Sequence, residues 1–363
     1  MKLDRRLLLN FDWLWFLSLL LLSAAGLAAI WSTTQGTNLS YYVGRQVIYL
    51  CISMAVFLVL LYFDYRVYAD YITIAYLAGL AILGLVLVVG HTVHANKSWL
   101  SLGIFSFQPS ELVKVLVIVA LAKYYAEVDR DYLELHELVT AGLIVLAPMF
   151  LVMLQGDLGT AITFVPLYVG VSFLAGLKRK HVLVLLIAAA LVLPAGWMML
   201  KGYQKGRIVA VLNPSSDPHG LGYQPQQSKI AIGSGGFLGK GWKQGTQGQL
   251  GFLPARHTDF VFAVFSEERG FVGSITLLGL LLYISVRLLR AAREAKDKIG
   301  ALIIMGVFSL FFFHILINAG MVLGLVPIAG IPLPFVSAGG SSLLSFYAAM
   351  SLGLNVKMRR FVN

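Results

Sequence analysis

The chain is short of cysteine and of charge, and each shortage excludes something. One cysteine, Cys51, stands among 363 residues. It has no partner for an intrachain disulfide, and no multi-cysteine thiolate metal site is available. Cys51 sits inside the apolar run VIYLCISMAVFLVLL and is expected to face lipid or a packed neighbour. Charged residues make up 12% of the chain and hydrophobic ones 58%. An ordinary soluble domain is about 25% charged and about 45–50% apolar. A soluble globular fold is therefore excluded, and an all-α polytopic membrane protein is implied. Acidic side chains are the scarcer sign, 17 against 28 lysines and arginines, giving a formal charge of +11. In a soluble protein that excess would suggest nucleic acid. Here the basic residues gather in short connections between apolar runs, as the positive-inside rule expects, so no nucleic acid is expected. The seven histidines are scattered without a metal-ligand spacing such as HExxH.

What remains is mostly apolar sequence of span length. A membrane helix needs about 20 mostly apolar residues. About ten such runs occur, near 12–32, 46–63, 70–90, 109–126, 138–154, 158–176, 181–200, 260–289, 299–325 and 335–356. The first resembles a signal peptide after MKLDRR. Its apolar part is longer than the roughly 7–15 residues of a signal core, so an uncleaved helix is expected. The basic stretches MKLDRR, KRK (178–180), RLLRAAREAKDK and KMRR all fall on one side of a ten-span arrangement. That side is expected to be cytoplasmic, with both termini on it. The connection at 201–258 then lies outside, between spans seven and eight. Loops beyond about 15 residues are usually functional or disordered. This one is varied in sequence and is expected to form an ordered cap within a single membrane domain, 1–363.

Charged side chains recur at the outer ends of the spans. Arg45 starts span two, Glu111 and Lys114 share a face in the first turn of span four, Asp157 follows span five, and Asp259 opens span eight. Singly, Arg45 reads as an interfacial anchor and Asp157 as turn chemistry. Their occurrence on one side points to a charged cavity opening outward. Ionisable groups in a span are functional candidates, because a charge at the bilayer centre costs about 2.5–3.5 kcal/mol on insertion scales. Ser110 is a candidate cap for span four. Glu267 and Glu268 are expected deep in span eight, paired with Arg269 or a partner helix. His314 and Asn318 share a face of span nine and are expected to hydrogen-bond across helices. GSGGFLGKG (233–241) fails as a nucleotide-phosphate loop, since Ser234 and Gly241 stand where a Gly and a Ser or Thr are required. It reads either as a cradle for a lipid pyrophosphate, with Lys240, or as a turn-rich loop. GIPLPFVSAGGSS (330–342) is expected to be irregular backbone lining the cavity.

Five segments, FQPSELVK, QGDLGTA, NPSSDPHGLGYQPQQSKIAIGSGGFLGKG, LPARHTDFVFAVFSEERGFVG and GIPLPFVSAGGSS, occur in an order that resembles the shape, elongation, division and sporulation (SEDS) family, in its elongation branch. Two departures are Arg256, where a polar or acidic residue is expected, and Arg269, where an apolar one is. The resemblance implies a peptidoglycan glycosyltransferase of the bacterial inner membrane, with its site facing the periplasm or exterior. The implied substrate is lipid II, and the undecaprenyl-linked glycan strand grows with inversion as undecaprenyl pyrophosphate leaves. Asp259 is implied as general base, with Glu111, Lys114, Asp157 and Arg45 around it. Substrate contacts are expected from Lys240, Ser110, Gln155, His257 and Ser337. Lys240, Arg45 or a divalent cation (Mg2+ or Mn2+) would balance the pyrophosphate charge; no cofactor is otherwise implied. The expected partners are a class B penicillin-binding protein, met at spans eight and nine, and membrane proteins of the elongation complex. A lipid II flippase and a non-catalytic scaffold are the alternative readings. Many transporters carry internal repeats, and none is evident here.

Overall fold

Away from water, a helix satisfies every backbone N–H and C=O within its own segment. The apolar runs accordingly become helices. The computed structural model describes residues 10–34, 40–93, 96–102, 105–199, 202–212, 220 and 222–360. In chain order the elements are α1 (Trp13–Thr34), α2 (Tyr41–Tyr62), α3 (Tyr65–Val89), β1 (His91–Val93), β2 (Asn96–Leu102), β3 (Phe105–Phe107), α4 (Pro109–Ala126), α5 (Leu135–Leu154), α6 (Leu158–Ile162), α7 (Phe164–Gly176), α8 (Arg179–Met199), α9 (Gly202–Leu212), α10 (Tyr223–Ser234), α11 (Thr246–Gln249), α12 (Val261–Arg293), α13 (Lys298–Val322) and α14 (Gly340–Met358). Among the described residues seven spans are long and apolar enough to cross a membrane: α1, α2, α3, α5, α6 with α7, α12 and α13. Helices also occupy the other three expected positions, as α4, α8 and α14. α4 packs against α3, α5, α7, α13 and α14, while α14 packs against α2, α4 and α13. These two inner helices can therefore carry polar side chains away from lipid.

The structure adds to the sequence reading in one place and corrects it in two. Residues 91–93, 96–102 and 105–107, which lie between the expected spans three and four, form a three-stranded antiparallel sheet in the order β1-β2-β3. It seats the start of α4 and reaches α5, where the Lys97 N–H donates to the Gln155 carbonyl at 2.9 Å. Ser110 does not cap α4. Gln108 is the N-cap residue, in an extended conformation, and Pro109 takes the first helical position. α12 is a span but not one uninterrupted helix, because Gly270 kinks it at φ 66 and ψ −162. A Cβ there would lie 2.2 Å from the Gly239 nitrogen, so only glycine permits this approach.

The 201–258 connection folds as α9, α10 and α11, with Ser228, Ala231 and Leu253 buried. Most of the NPSSDPHGLG stretch lies outside the described residues, as do the MKLDRR segment and 361–363. At the opposite end of the bundle, ion pairs bind the helix ends together. Asp12, just before α1, takes both Arg287 of α12 and Lys357 of α14. Asp297, the N-cap of α13, takes Arg66 at 2.9 Å and the Tyr65 hydroxyl at 2.7 Å.

Candidate functional site

The site is organised by the irregular segment 328–340 between α13 and α14. Prolines 332 and 334 prevent it from continuing either helix. Phe335 has φ 65, a conformation rare for a bulky residue, and its ring is buried against Phe311, Phe346 and Tyr347. The backbone of Phe335 and Val336 presses on Gly26 of α1, where a Cβ would meet the Val336 oxygen at 2.6 Å. The expected irregular segment inside the helix bundle is therefore present; Ser337 belongs to it, His257 and Asp259 meet it, and Lys114 reaches it through His314.

Asp259 closes the loop before α12 and is half-buried. Its carbonyl accepts from Asn318 Nδ2 at 3.1 Å, and the same nitrogen donates to the Ile331 carbonyl at 2.8 Å. An ideal Cβ on Gly330 would stand 4.0 Å from Asp259 Oδ2, so the carboxylate faces the segment at its glycine. The neighbours of Asp259 are stitched to the same segment. Ser337 Oγ donates to the Thr258 carbonyl at 2.7 Å, and the Ala338 N–H donates to the His257 carbonyl at 2.9 Å. The His257 ring lies against Tyr42, with centroids 4.5 Å apart. Burial, reinforced by the Arg256 charge, holds His257 below the usual histidine range, so it stands neutral beside Asp259. Arg256 turns its guanidinium away, onto the Gly248 carbonyl.

Glu111 and Lys114 form an ion pair of 2.8 Å, with side chains 5% and 1% exposed. Lys114 Nζ also lies 3.5 Å from His314 Nε2, and His314 Nδ1 lies 3.1 Å from the Pro332 carbonyl. The pair is thus linked to the 328–340 segment through one imidazole. Asp157 caps α6 by accepting from the Thr160 N–H at 3.0 Å. Its other oxygen accepts from Thr160 Oγ1 at 2.8 Å and from Gln108 Nε2 at 2.7 Å. Arg45 donates to Ser106 Oγ on β3 at 3.1 Å.

Three expected substrate contacts are placed otherwise. Gln155 donates to the Leu83 carbonyl at 3.0 Å, tying α5 to α3. Ser110 is buried in the first turn of α4, with no hydrogen-bond partner for Oγ among the described residues. Lys240 is bound to Glu267 at 2.7 Å and to Thr246 at 3.0 Å. The glycine loop around Lys240 is not an open anion cradle. The Lys240 and Gly241 N–H groups donate to the Glu267 and Glu268 carbonyls. Gly235 and Gly239 allow the loop to lie directly on that backbone, where Cβ atoms would approach to 2.3 and 2.2 Å. Of the two arrangements expected for Glu267 and Glu268, partners on other elements are what the structure shows, with no ion pair to Arg269 among the described residues. Glu267 gathers the loop's donors, and Glu268 takes Ser32 of α1 and the Lys243 N–H.

Four further positions were passed over, three of them uncharged. Gln108 links Asp157 to α14, because its own N–H donates to Ser341 Oγ at 2.9 Å. Gln46 uses both ends of its amide on the 328–340 segment, at Ser337 and Gly339. Arg207 of α9 donates to the Ile328 carbonyl at 3.0 Å. Tyr49 donates to the Ser106 carbonyl at 2.9 Å. The signals were adjacency alone: Gln46 follows Arg45, and Gln108 precedes Pro109 in the FQPSE motif.

Comparison with known proteins agrees with this arrangement along the whole chain. A family model described as cell cycle protein, FtsW/RodA/SpoVE, matches residues 5–361. The chain is 37% identical to the peptidoglycan glycosyltransferase MrdB of Escherichia coli K12 over 95% of this chain and 92% of that one. It is 34% identical to stage V sporulation protein E of Bacillus subtilis over 91% of this chain and 90% of that one. A chain from a structure titled as a peptidoglycan synthase complex that coordinates polymerization and crosslinking superposes with a TM-score of 0.85 at 33% identity, covering 97% of this chain and 99% of that one. The rod shape determining protein RodA of Thermus thermophilus superposes with a TM-score of 0.73 at 28% identity, covering 97% and 98%. The chain belongs to the FtsW/RodA/SpoVE family of multi-pass membrane proteins.

Proposed function

We propose that this protein is a peptidoglycan glycosyltransferase that polymerises lipid II into β-1,4 glycan strands at the outer face of the bacterial inner membrane. The observation that carries the reading is Asp259. It is a half-buried carboxylate, held through its backbone by Asn318 and facing a glycine in an irregular segment within the helix bundle. The names of relatives that align over nearly the full chain support it.

A sugar hydroxyl is a weak nucleophile and needs a base within hydrogen-bond reach as it attacks. In the proposed step the acceptor 4-hydroxyl forms a bond to C1 of the donor sugar. Its proton passes to the Asp259 carboxylate, and the C1–oxygen bond to the pyrophosphate breaks with its electron pair leaving on the phosphate. Attack opposite the leaving group inverts C1. The neutral His257 adds no competing positive charge beside the base. Arg45, on α2 and bonded to Ser106 of β3, is the proposed cation for the departing pyrophosphate, since Lys240 is bound to Glu267. Among the described residues no three His, Cys, Asp or Glu side chains converge as a metal cage, and the Asp157 oxygens already accept three hydrogen bonds. A class B penicillin-binding protein is the proposed partner that crosslinks the strand, with further membrane proteins of the elongation complex.

The test is glycan-strand formation from labelled lipid II by the purified protein, alone and with its penicillin-binding protein carrying an inactive transpeptidase. Wild type should make strands, and a folded Asp259→Asn variant should not. Equal strands from both would remove Asp259 as base. No strands from wild type with its partner present would favour a flippase or a scaffold.

A further inference from the structure

Two buried side chains of α13 stand between the charged pair and Asp259, and the general-base chemistry above assigns them nothing. His314 is 1% exposed and Asn318 is fully buried. They are four residues apart, so they lie one above the other on a single helix face. Each meets the 328–340 segment from the same side, at consecutive carbonyls: His314 at Pro332 and Asn318 at Ile331.

The geometry fixes the hydrogen on the imidazole. Nε2 faces the Lys114 ammonium, which can only donate, so Nε2 accepts. Nδ1 faces the Pro332 carbonyl, which can only accept, so Nδ1 carries the hydrogen. An imidazole used at both nitrogens in this way transmits position: if Lys114 moves, the Pro332 carbonyl loses its donor. Pro332 has no N–H, so its backbone is held through its carbonyl alone. Asn318 completes the link with one amide nitrogen that donates to both Ile331 and Asp259. Its Oδ1 is buried without a hydrogen-bond partner among the described residues. What the amide contributes here is therefore its two donor contacts.

We propose that His314 and Asn318 are positioning residues through which the buried Glu111–Lys114 pair sets the placement of the Asp259 carboxylate. The proposal rests on Asp259 acting as base. It predicts that disturbing either residue misplaces the base without removing a substrate contact. A misplacement of about 1 Å in a catalytic group can cost about 10²-fold in rate.

The test uses the full chain with its penicillin-binding protein and measures strand synthesis over a range of lipid II concentrations. His314→Leu and Asn318→Leu, with complex formation and melting temperature checked, should each lower kcat by about 10²-fold while leaving KM little changed. His314→Gln, whose amide can still accept from Lys114 and donate to Pro332, should recover much of the loss. His314→Leu should add little to Lys114→Met, because both interrupt the same link. Wild-type activity with an inactive Asp259→Asn establishes the base reading independently. Given that, full kcat in folded His314→Leu would overturn the inference. So would a His314→Gln variant as slow as His314→Leu, or losses that simply add to that of Lys114→Met.

Discussion

Lys114 and Glu111 hold each other at 2.8 Å inside the helix bundle, one turn apart on α4 and almost wholly out of contact with solvent. Two charges are kept there because α4 is an inner helix and His314 supplies a further partner. Removing one member leaves the other buried and uncompensated, which typically costs about 3–5 kcal/mol. Lys114→Met should therefore lower the melting temperature sharply. The double variant Glu111→Gln/Lys114→Met should recover part of that stability. It should not recover strand synthesis, since neither side chain can then anchor His314. Thermal unfolding beside the lipid II assay separates the two effects.

Asp157 has two separable roles. Its Oδ1 caps α6 and its Oδ2 receives Gln108. Losing a cap typically costs about 1 kcal/mol. Asp157→Ala should show that loss of stability together with a loss of activity. Asp157→Asn keeps an oxygen for the cap but can turn an amide hydrogen towards Gln108. It should be close to wild type in melting temperature and still slower in strand synthesis. Equal activity in Asp157→Asn and wild type would confine Asp157 to helix capping.

The helices were legible because apolar length reports membrane helix directly, and α4 was legible from Pro109 at its start. The charged candidates were legible because ionisable groups are scarce in such a sequence. What held them was not. Gln46 and Gln108 act through amides whose partners lie far along the chain, a relationship that no local pattern encodes. The sheet at 91–107 was hidden because a search for runs of about 20 apolar residues passes over strands of three to seven. The break in α12 was missed because one glycine inside an apolar run is compatible with a helix. Only the contact with Gly239 explains the conformation of Gly270. The pairing of Lys240 with Glu267 was not legible either, since the two lie 27 residues apart.

Stability should depend on pH through Asp12. Burial alone would raise its carboxyl. Hydrogen bonds from Lys357, the Trp15 N–H and Arg287 outweigh that and hold it below the ordinary 3.8. A carboxyl depressed in the folded state contributes stability that is present above its unfolded value and is lost as pH falls through the folded one. Asp12→Asn should thus melt below wild type at neutral pH. The gap should close as pH falls below about 3.8. A gap that is constant with pH would mean that the charge of Asp12 contributes nothing.

Glu267 concentrates the donors of the 240–248 loop: Lys240 at 2.7 Å, Thr246 at 3.0 Å and the Gln247 N–H at 3.1 Å. Glu267→Gln should open that loop and expose Lys240 and Lys243 to trypsin. Lys240→Met should have a milder effect, because the backbone donors still reach the carboxylate. If Lys240→Met abolished strand synthesis without raising cleavage at Lys243, Lys240 would belong to substrate binding after all.

Gly159 tests whether the 328–340 segment sets the rate as a body. A Cβ at Gly159 would lie 1.9 Å from the Ala329 carbonyl oxygen, and that contact is backbone, which cannot swing aside as a side chain would. Ala329 adjoins Gly330, the residue that Asp259 faces. Gly159→Ala must therefore push the segment towards Asp259 or tilt α6. Its helix propensity gain of about 1 kcal/mol is set against this overlap. The expected outcome is a folded protein with a reduced rate, measured as strand synthesis at saturating lipid II. Gly142→Ala is the control, because a Cβ there meets only the Tyr168 hydroxyl at 3.9 Å. It gains the same propensity without the clash, and its activity should stay at the wild-type level. If both variants behave alike, the contact between Gly159 and Ala329 does not constrain the site.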